Sequence, residues 1–327
     1  MNVSHPYDDL VPDVILQAVE QVNLEPDGHL LALNSYENRV FQVGIEERAP
    51  LIAKFYRPDR WSDAAILEEH SFAQTLDMAE VPVVAPWTGP AGQTLFSHAD
   101  FRFALFPRRG GRAPEPGDLV QLGWIGRFIG RLHLAGQGSH FTERPILDVH
   151  TLGWPARDSV MQSPLMPMEL AGRYSTVTAE LLNRIEEIAD DTAAEIIRLH
   201  GDCHHGNILW TDAGPHFVDL DDCRNGPAVQ DLWMLLNGPR NEQASQLGAL
   251  IEGYRMFRDF DPRELVLIEP LRTLRMIHYS GWVAKRWDDP AFPGAFSWMA
   301  SPHYWAQHVE DLEHQRSALA AQPLPIG

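Results

Sequence analysis

Cysteine is nearly absent, with only Cys203 and Cys223 in 327 residues. A disulfide-stapled scaffold is therefore excluded as the organising principle, and a reducing cytoplasm is the expected setting. Basic residues are also scarce, since 26 Lys and Arg face 45 Asp and Glu for a net charge of −19. Bulk electrostatics then oppose non-specific binding to nucleic acid or an anionic membrane surface, although a few local cations and backbone N–H groups can still hold a phosphate. No uninterrupted run of about 18 apolar residues occurs that could span a bilayer. The start, MNVSHPYDDL, lacks the basic segment and apolar run of an export signal. No repeat or low-complexity tract is present. What remains is a chain with 44% hydrophobic residues, enough to bury a large core in one domain or two packed lobes.

Along the chain the periodicity changes character. Val14, Ile15, Ala18, Val19 and Val22 recur at helical spacing. From Leu30 the segments LLALNSYENRVFQVGI and APLIAKFYRP read as strands around a polar turn at Glu46 to Arg48. SDAAILEEHSFAQTLDM predicts a helix capped by Ser62 or Asp63 and carrying Ile66, Phe72 and Leu76, and VPVVAPW, QTLFSH and FRFALFP predict further short strands. After the loop RRGGRAPEPG the chain turns mainly helical, beginning with a stripe of Leu122, Ile125, Ile129 and Leu132 and a stop at Gly136. One stretch breaks that pattern: LHGDCHHGNILWTDAGPHFVDLDDC reads as loop, strand, Asp-Ala-Gly-Pro turn and strand. The expected organisation is a small sheet-rich lobe over residues 1–107 and a larger, mainly helical lobe over residues 108–327.

The chemistry concentrates in that broken stretch. Asp202 and Asn207 lie five positions apart on a loop, and Asp219 follows a short hairpin. Phosphoryl transfer needs a carboxylate to orient a hydroxyl and accept its proton, together with hard oxygen ligands to hold magnesium against phosphates. The antiparallel return brings the start of one strand, at Asn207, beside the end of the next, at Asp219. Lys54 sits in the apolar strand segment LIAKFY, where its charge is costly unless it meets an anion such as a triphosphate.

The loop His200-Gly201-Asp202-Cys203-His204-His205-Gly206-Asn207 resembles the H-G-D-x-x-x-x-N catalytic loop of the kinase-like fold shared by aminoglycoside phosphotransferases, choline kinases and related enzymes. In order, LNSYENRV, KFYRPDRW, ILEEH, RLHGDCHHGNILW, FVDLDD, RNGPAVQDLWMLLNG, IEPLR and DPAFP are similar to a bacterial serine/threonine protein-kinase branch linked to stress survival. That likeness runs from about Asn34 to Phe292. It implies an α+β, bilobal protein-kinase-like fold and ATP as co-substrate. It further implies Asp202 as the catalytic carboxylate, Asn207 and Asp219 as Mg2+ ligands, and Lys54 on the ATP phosphates. The resemblance also implies Glu69 as the helical partner of Lys54, with Glu68 as the competing choice, and Ser35 as a nucleotide contact at the tip of an ATP-covering loop. That loop lacks the usual glycines, so the glycine argument gives it no support. The resemblance implies a tying role for Asp231. Eleven residues separate Asp219 from Asp231 and no A-P-E sequence occurs, which leaves little room for a phosphorylated activation loop. Asp221 and Asp222 depart from the D-F-G pattern and carry no assigned role.

Blander readings stand beside these. His200, Cys203, His204 and His205 suggest zinc, but neighbours on one loop rarely converge and no second ligand pair follows at the usual spacing. Lys54 reads otherwise as a strand-end lysine, Glu69 as a solvated helix position and Ser35 as a turn serine. Trp282, Trp287, Trp298 and Trp305, near Tyr304, read as core before groove, and Arg272, Arg275 and Arg286 as helix-surface or ion-pair residues before phosphate clamps. The expected function is an ATP- and Mg2+-dependent kinase acting on protein serine and threonine hydroxyls, as a monomer without nucleic-acid or membrane partners. A kinase of amino alcohols, aminoglycosides or sugars is the alternative, and a non-catalytic nucleotide-binding regulator is a third reading.

Overall fold

The computed structural model describes residues 5–326; Met1 to Ser4, part of the stretch read for an export signal, lie outside the described residues. The chain opens with α1 (Pro12–Glu20), β1 (Pro26–Leu33), β2 (Arg39–Ile45), β3 (Arg48–Phe55), α2 (Asp63–Met78), β4 (Phe96–His98) and β5 (Phe101–Pro107). It continues with α3 (Leu119–Gly136), α4 (Trp154–Gln162), α5 (Met168–Thr192) and β6 (Ile197–Leu199), then the hairpin β7 (Ile208–Thr211) and β8 (Gly214–Phe217). The last part holds β9 (Arg224–Gly226), α6 (Gln230–Trp233), α7 (Arg240–Tyr254), α8 (Ile268–Lys285), α9 (Ala291–Ala295) and α10 (Pro302–Leu319). Two compact units result. The first comprises the chain up to Glu115 with Phe141–Arg144 and His204–Cys223, and the second comprises Pro116–His140, Pro145–Cys203 and Arg224 onward.

In the first unit five antiparallel strands run in the order β1-β2-β3-β5-β4. Ile15, Ala18 and Val19 of α1 pack with Val43, Ala53, Phe55 and Phe103, so one face of the sheet is covered by the predicted helical stripe. Ser62 caps α2 by accepting from the Ala65 N–H at 3.1 Å, and Ile66, Phe72 and Leu76 are buried as the spacing predicts. VPVVAPW corrects the strand expectation: apart from one bridge, Val83 to Phe217, it pairs with nothing as a strand, because Pro82 and Pro86 have no N–H to give a ladder. QTLFSH is a strand only from Phe96.

In the second unit α3 and α7 touch backbone to backbone. A Cβ on Gly253 would stand 2.1 Å from the Gly123 carbonyl oxygen, and one on Gly126 2.1 Å from that of Leu250. Asp118 caps α3 through the Val120 and Gln121 N–H groups. α3 ends at Gly136, the stop expected of it, although without the positive φ of a left-handed cap, and its missing side chain admits the Arg198 carbonyl oxygen, 2.6 Å from where a Cβ would sit. Trp305 is fully buried and donates to the Met299 carbonyl at 2.8 Å, while Trp282 and Trp287 pack against the same core. Trp298 is exposed but stacks edge-on against Tyr304. Among the described residues no helix is long and apolar enough to cross a membrane.

Candidate active site

The first unit gathers Lys54, Glu69 and Asp219 around one ammonium group. Lys54 is carried by β3 opposite Val40 and is only 6% exposed. Its Nζ lies 3.4 Å from Glu69 Oε1, 3.3 Å from Asp219 Oδ1 and 3.0 Å from Asp221 Oδ1. Burial opposes its charge, but Asp221, Glu69 and Asp219 outweigh burial and hold the ammonium well above the ordinary lysine range. Glu69 is buried on α2, and its other oxygen takes Arg144 Nη2 at 2.8 Å. Burial pushes its carboxyl up against the pull of Lys54. Glu68 points elsewhere. Its two oxygens accept from the Thr142, Glu143 and Arg144 N–H groups at 2.7, 2.9 and 3.0 Å, so it fastens the 141–144 segment to α2.

The β7–β8 hairpin places Asn207 and Asp219 at neighbouring strand ends. Val218 N–H donates to the Asn207 carbonyl at 3.0 Å, extending the ladder one step beyond Ile208 and Phe217. Asp219 has φ 60° and ψ 66°, a left-handed conformation that a non-glycine residue adopts at a cost of about 1 kcal/mol or more. Its side chain is 56% exposed. An amide oxygen and a half-exposed carboxylate are hard donors that fit Mg2+. The surrounding charge fits as well, because four carboxylates, Glu69, Asp219, Asp221 and Asp222, meet three cations, Lys54, Arg60 and Arg144. Arg60 grips both Asp221 and Asp222. Burial raises the Asp221 pKa, but Arg60 and then Lys54 overcome it and bring the carboxyl down to about 2. The local signal for Asp221 was the three-carboxylate run itself; Arg60 and Arg144 had no signal short of the fold.

Ser35 lies in the β1–β2 loop, where its Oγ donates to the Asn38 carbonyl at 3.0 Å. It closes its own turn, and its lone pairs are what it has to offer a ligand.

The second unit fixes Asp202. Gly201, with φ +85°, makes the turn that an L side chain would resist. Asp231, at the start of α6 and fully buried, accepts from His200 N–H at 2.8 Å and Gly201 N–H at 2.9 Å, and Gln230 Nε2 donates to the Gly201 carbonyl at 2.9 Å. Behind Asp231 runs a buried chain: His133 Nε2 at 3.0 Å, Tyr254 Oη to His133 Nδ1 at 3.0 Å, and Arg258 Nη1 to Tyr254 Oη at 2.8 Å. Arginine can only donate, so the Tyr254 proton goes to His133 Nδ1, and His133 donates from Nε2 to Asp231. A neutral His133 agrees with its pKa, which burial lowers despite the pull of Asp231. Cys203 is buried, and burial, then Asp231 and Asp202, pushes its thiol well up.

Asp202 itself receives Arg275 Nη1 from α8 at 2.6 Å. Arg272 pairs with Glu269 at 3.2 Å, and Arg286 donates to the Trp282 carbonyl at 3.1 Å. The arginines are thus ion-pair and helix residues, as expected, but one of them meets the candidate catalytic carboxylate. Residues 223–230, between the two aspartates, are buried and include β9, leaving no exposed activation segment there.

A model of the Phosphotransferase enzyme family matches residues 29–266. The chain is 44% identical over 325 residues to Stress response kinase A of Escherichia coli strain K12, covering 99% of this chain and 98% of that one. It is also 44% identical to Serine/threonine protein kinase RdoA of Salmonella typhimurium strain LT2, over 97% of this chain and 96% of the relative. Among solved structures it is similar to amicoumacin kinase hAmiN, solved with AMP-PNP, Ca2+ and Ami, with TM-score 0.71, 16% identity and coverage of 93% and 92% of the two chains.

Proposed function

The chain belongs to the phosphotransferase enzyme family, and from that premise we propose that it is an Mg2+-dependent protein kinase that moves the γ-phosphate of ATP to serine and threonine hydroxyls. The observation that carries this reading is its relationship, over almost its entire length, to proteins named as a stress response kinase and a serine/threonine protein kinase. The relatives' names support a role in bacterial stress survival, and a cytoplasmic setting is part of the same proposed reading.

The residues divide the work. Lys54 turns its ammonium from the carboxylates to the ATP phosphates, and Glu69 holds its stem end in place against Arg144. Asn207 and Asp219 hold the Mg2+ ion, which neutralises phosphate charge when bound. Ser35 contacts the nucleotide from the β1–β2 loop. Asp202, five residues before Asn207 in the chain, orients the acceptor hydroxyl and takes its proton as oxygen bonds to the γ-phosphorus and ADP departs. The test is transfer from γ-labelled ATP with Mg2+ into a polypeptide rich in serine and threonine, beside the Asp202→Asn variant. Label in protein hydroxyls, lowered about 10²- to 10⁴-fold in the variant, supports the reading. Label entering only amino alcohols, aminoglycosides or sugars makes the enzyme a small-molecule kinase instead.

A further inference from the structure

Arg275 stands beside Asp202 in an arrangement that positioning alone does not require. Among the described residues its hydrogen bonds are made by Nη1, to Asp202 Oδ1 at 2.6 Å and to Met234 Sδ at 3.9 Å. Its side chain is 42% exposed. The Nε–Nη2 edge of a guanidinium is the one that takes a carboxylate or phosphoryl group with two parallel hydrogen bonds. Arg272, one turn earlier on α8, is committed to Glu269 and to Gln243 and lies over the Trp233 ring. Arg275 is therefore the arginine of that pair whose own partner is the proton acceptor.

Resting on the assignment of Asp202 to the proton transfer, we propose that Arg275 is a specificity-determining residue that receives an anionic group flanking the accepting hydroxyl. A serine or threonine with an acidic or phosphorylated neighbour is favoured, and an acceptor with an ammonium beside its hydroxyl is disfavoured. A hydroxyl bonded to the second Asp202 oxygen brings its neighbouring substituents to about 5–7 Å from the guanidinium. At that distance, with an effective dielectric between surface and bulk values, one unit charge changes kcat/KM by about tenfold in either direction. The chain's net charge of −19 acts at longer range and is screened within about 10 Å at 0.1 M salt, so the local contact decides.

The experiment compares kcat/KM for three peptides carrying one serine flanked by glutamates, alanines or lysines, using the full chain and its Arg275→Gln and Arg275→Lys variants at 0.15 M salt. The expected order is Glu over Ala over Lys, with about tenfold between Glu and Ala. The preference should collapse in Arg275→Gln and survive in part in Arg275→Lys. An equal loss on all three peptides would mean that Arg275 only positions Asp202, and a wild-type preference for lysine flanks would reverse its role; either result overturns the proposal. Should no peptide take label, the protein-kinase reading fails separately, and 3-hydroxypropionate is set against 3-aminopropanol. Preference for the carboxylate then supports the role of Arg275 and preference for the amine refutes it. Fluorescence-anisotropy binding of the Glu and Ala peptides supplies the same ratio independently of turnover.

Discussion

Replacing Asp231 by Asn tests how the Asp202 loop is held, because the change keeps the shape while removing the charge and turning one acceptor oxygen into an NH2 donor. Asp231 Oδ2 accepts from His200 N–H and His133 Nε2, and Oδ1 accepts from Gly201 N–H. The amide oxygen of Asn can keep the first two bonds only by turning its NH2 toward the Gly201 N–H, donor against donor. The loss is one charge-assisted hydrogen bond and one buried N–H left unsatisfied, about 2–3 kcal/mol. In a protein of this size, at about 2.1 cal/mol/K of unfolding entropy per residue, that lowers Tm by about 3–4 °C. Gly201 immediately precedes Asp202, and a shift of about 1 Å there costs turnover on the order of 10²-fold. Thermal unfolding and phosphate transfer at saturating ATP are the assays. A variant that melts within about 1 °C of the parent and keeps turnover within about twofold would refute the claim that Asp231 holds the loop.

Gly253→Ala should destabilise by about 3 kcal/mol or prevent folding, since its Cβ meets the Gly123 carbonyl oxygen. Gly248→Ala on the same helix, with nothing within 4 Å, should gain about 0.5–1 kcal/mol; urea unfolding of the two variants decides, and equal effects would refute the contact. His308 is buried and its pKa is pushed down to about 4. The unfolded residue takes its proton near 6.5 and the folded one only near 4, so this contribution is intact above pH 6.5 and lost as pH falls through that window. His308→Leu should lessen acid destabilisation at pH 4.5 by about 2–3 kcal/mol relative to pH 7; the same stability difference at both pH values would count against it.

Much of the frame was legible because short-range physics wrote it. The α1 stripe, the Ser62 cap and the β7–β8 turn each need only a few neighbouring residues, and their positions follow from periodicity and turn chemistry. Asp202 and Asn207 stood out by spacing, and Lys54 by the cost of its charge in an apolar strand. The choice between Glu68 and Glu69 was open locally, because both are on α2 and what separates them lies in Arg144 and the Thr142 segment, more than 70 residues away. Arg275 was read as an ion-pair residue, but its partner was invisible for the same reason: Asp202 lies 73 positions earlier. VPVVAPW misled because its β-branched residues match a strand while its prolines forbid the ladder.

The ring of carboxylates around Lys54 also makes that residue a chemical reporter. The chain has two lysines in all, Lys54 and Lys285, and Lys285 is exposed on the last turn of α8. Among the lysine side chains, an amine-directed reagent thus meets one open site and one sealed, fully protonated site. Mass spectrometry of the two peptides would read the ratio directly, with Lys285 as the internal standard and any loosening of the ring appearing as modification of Lys54.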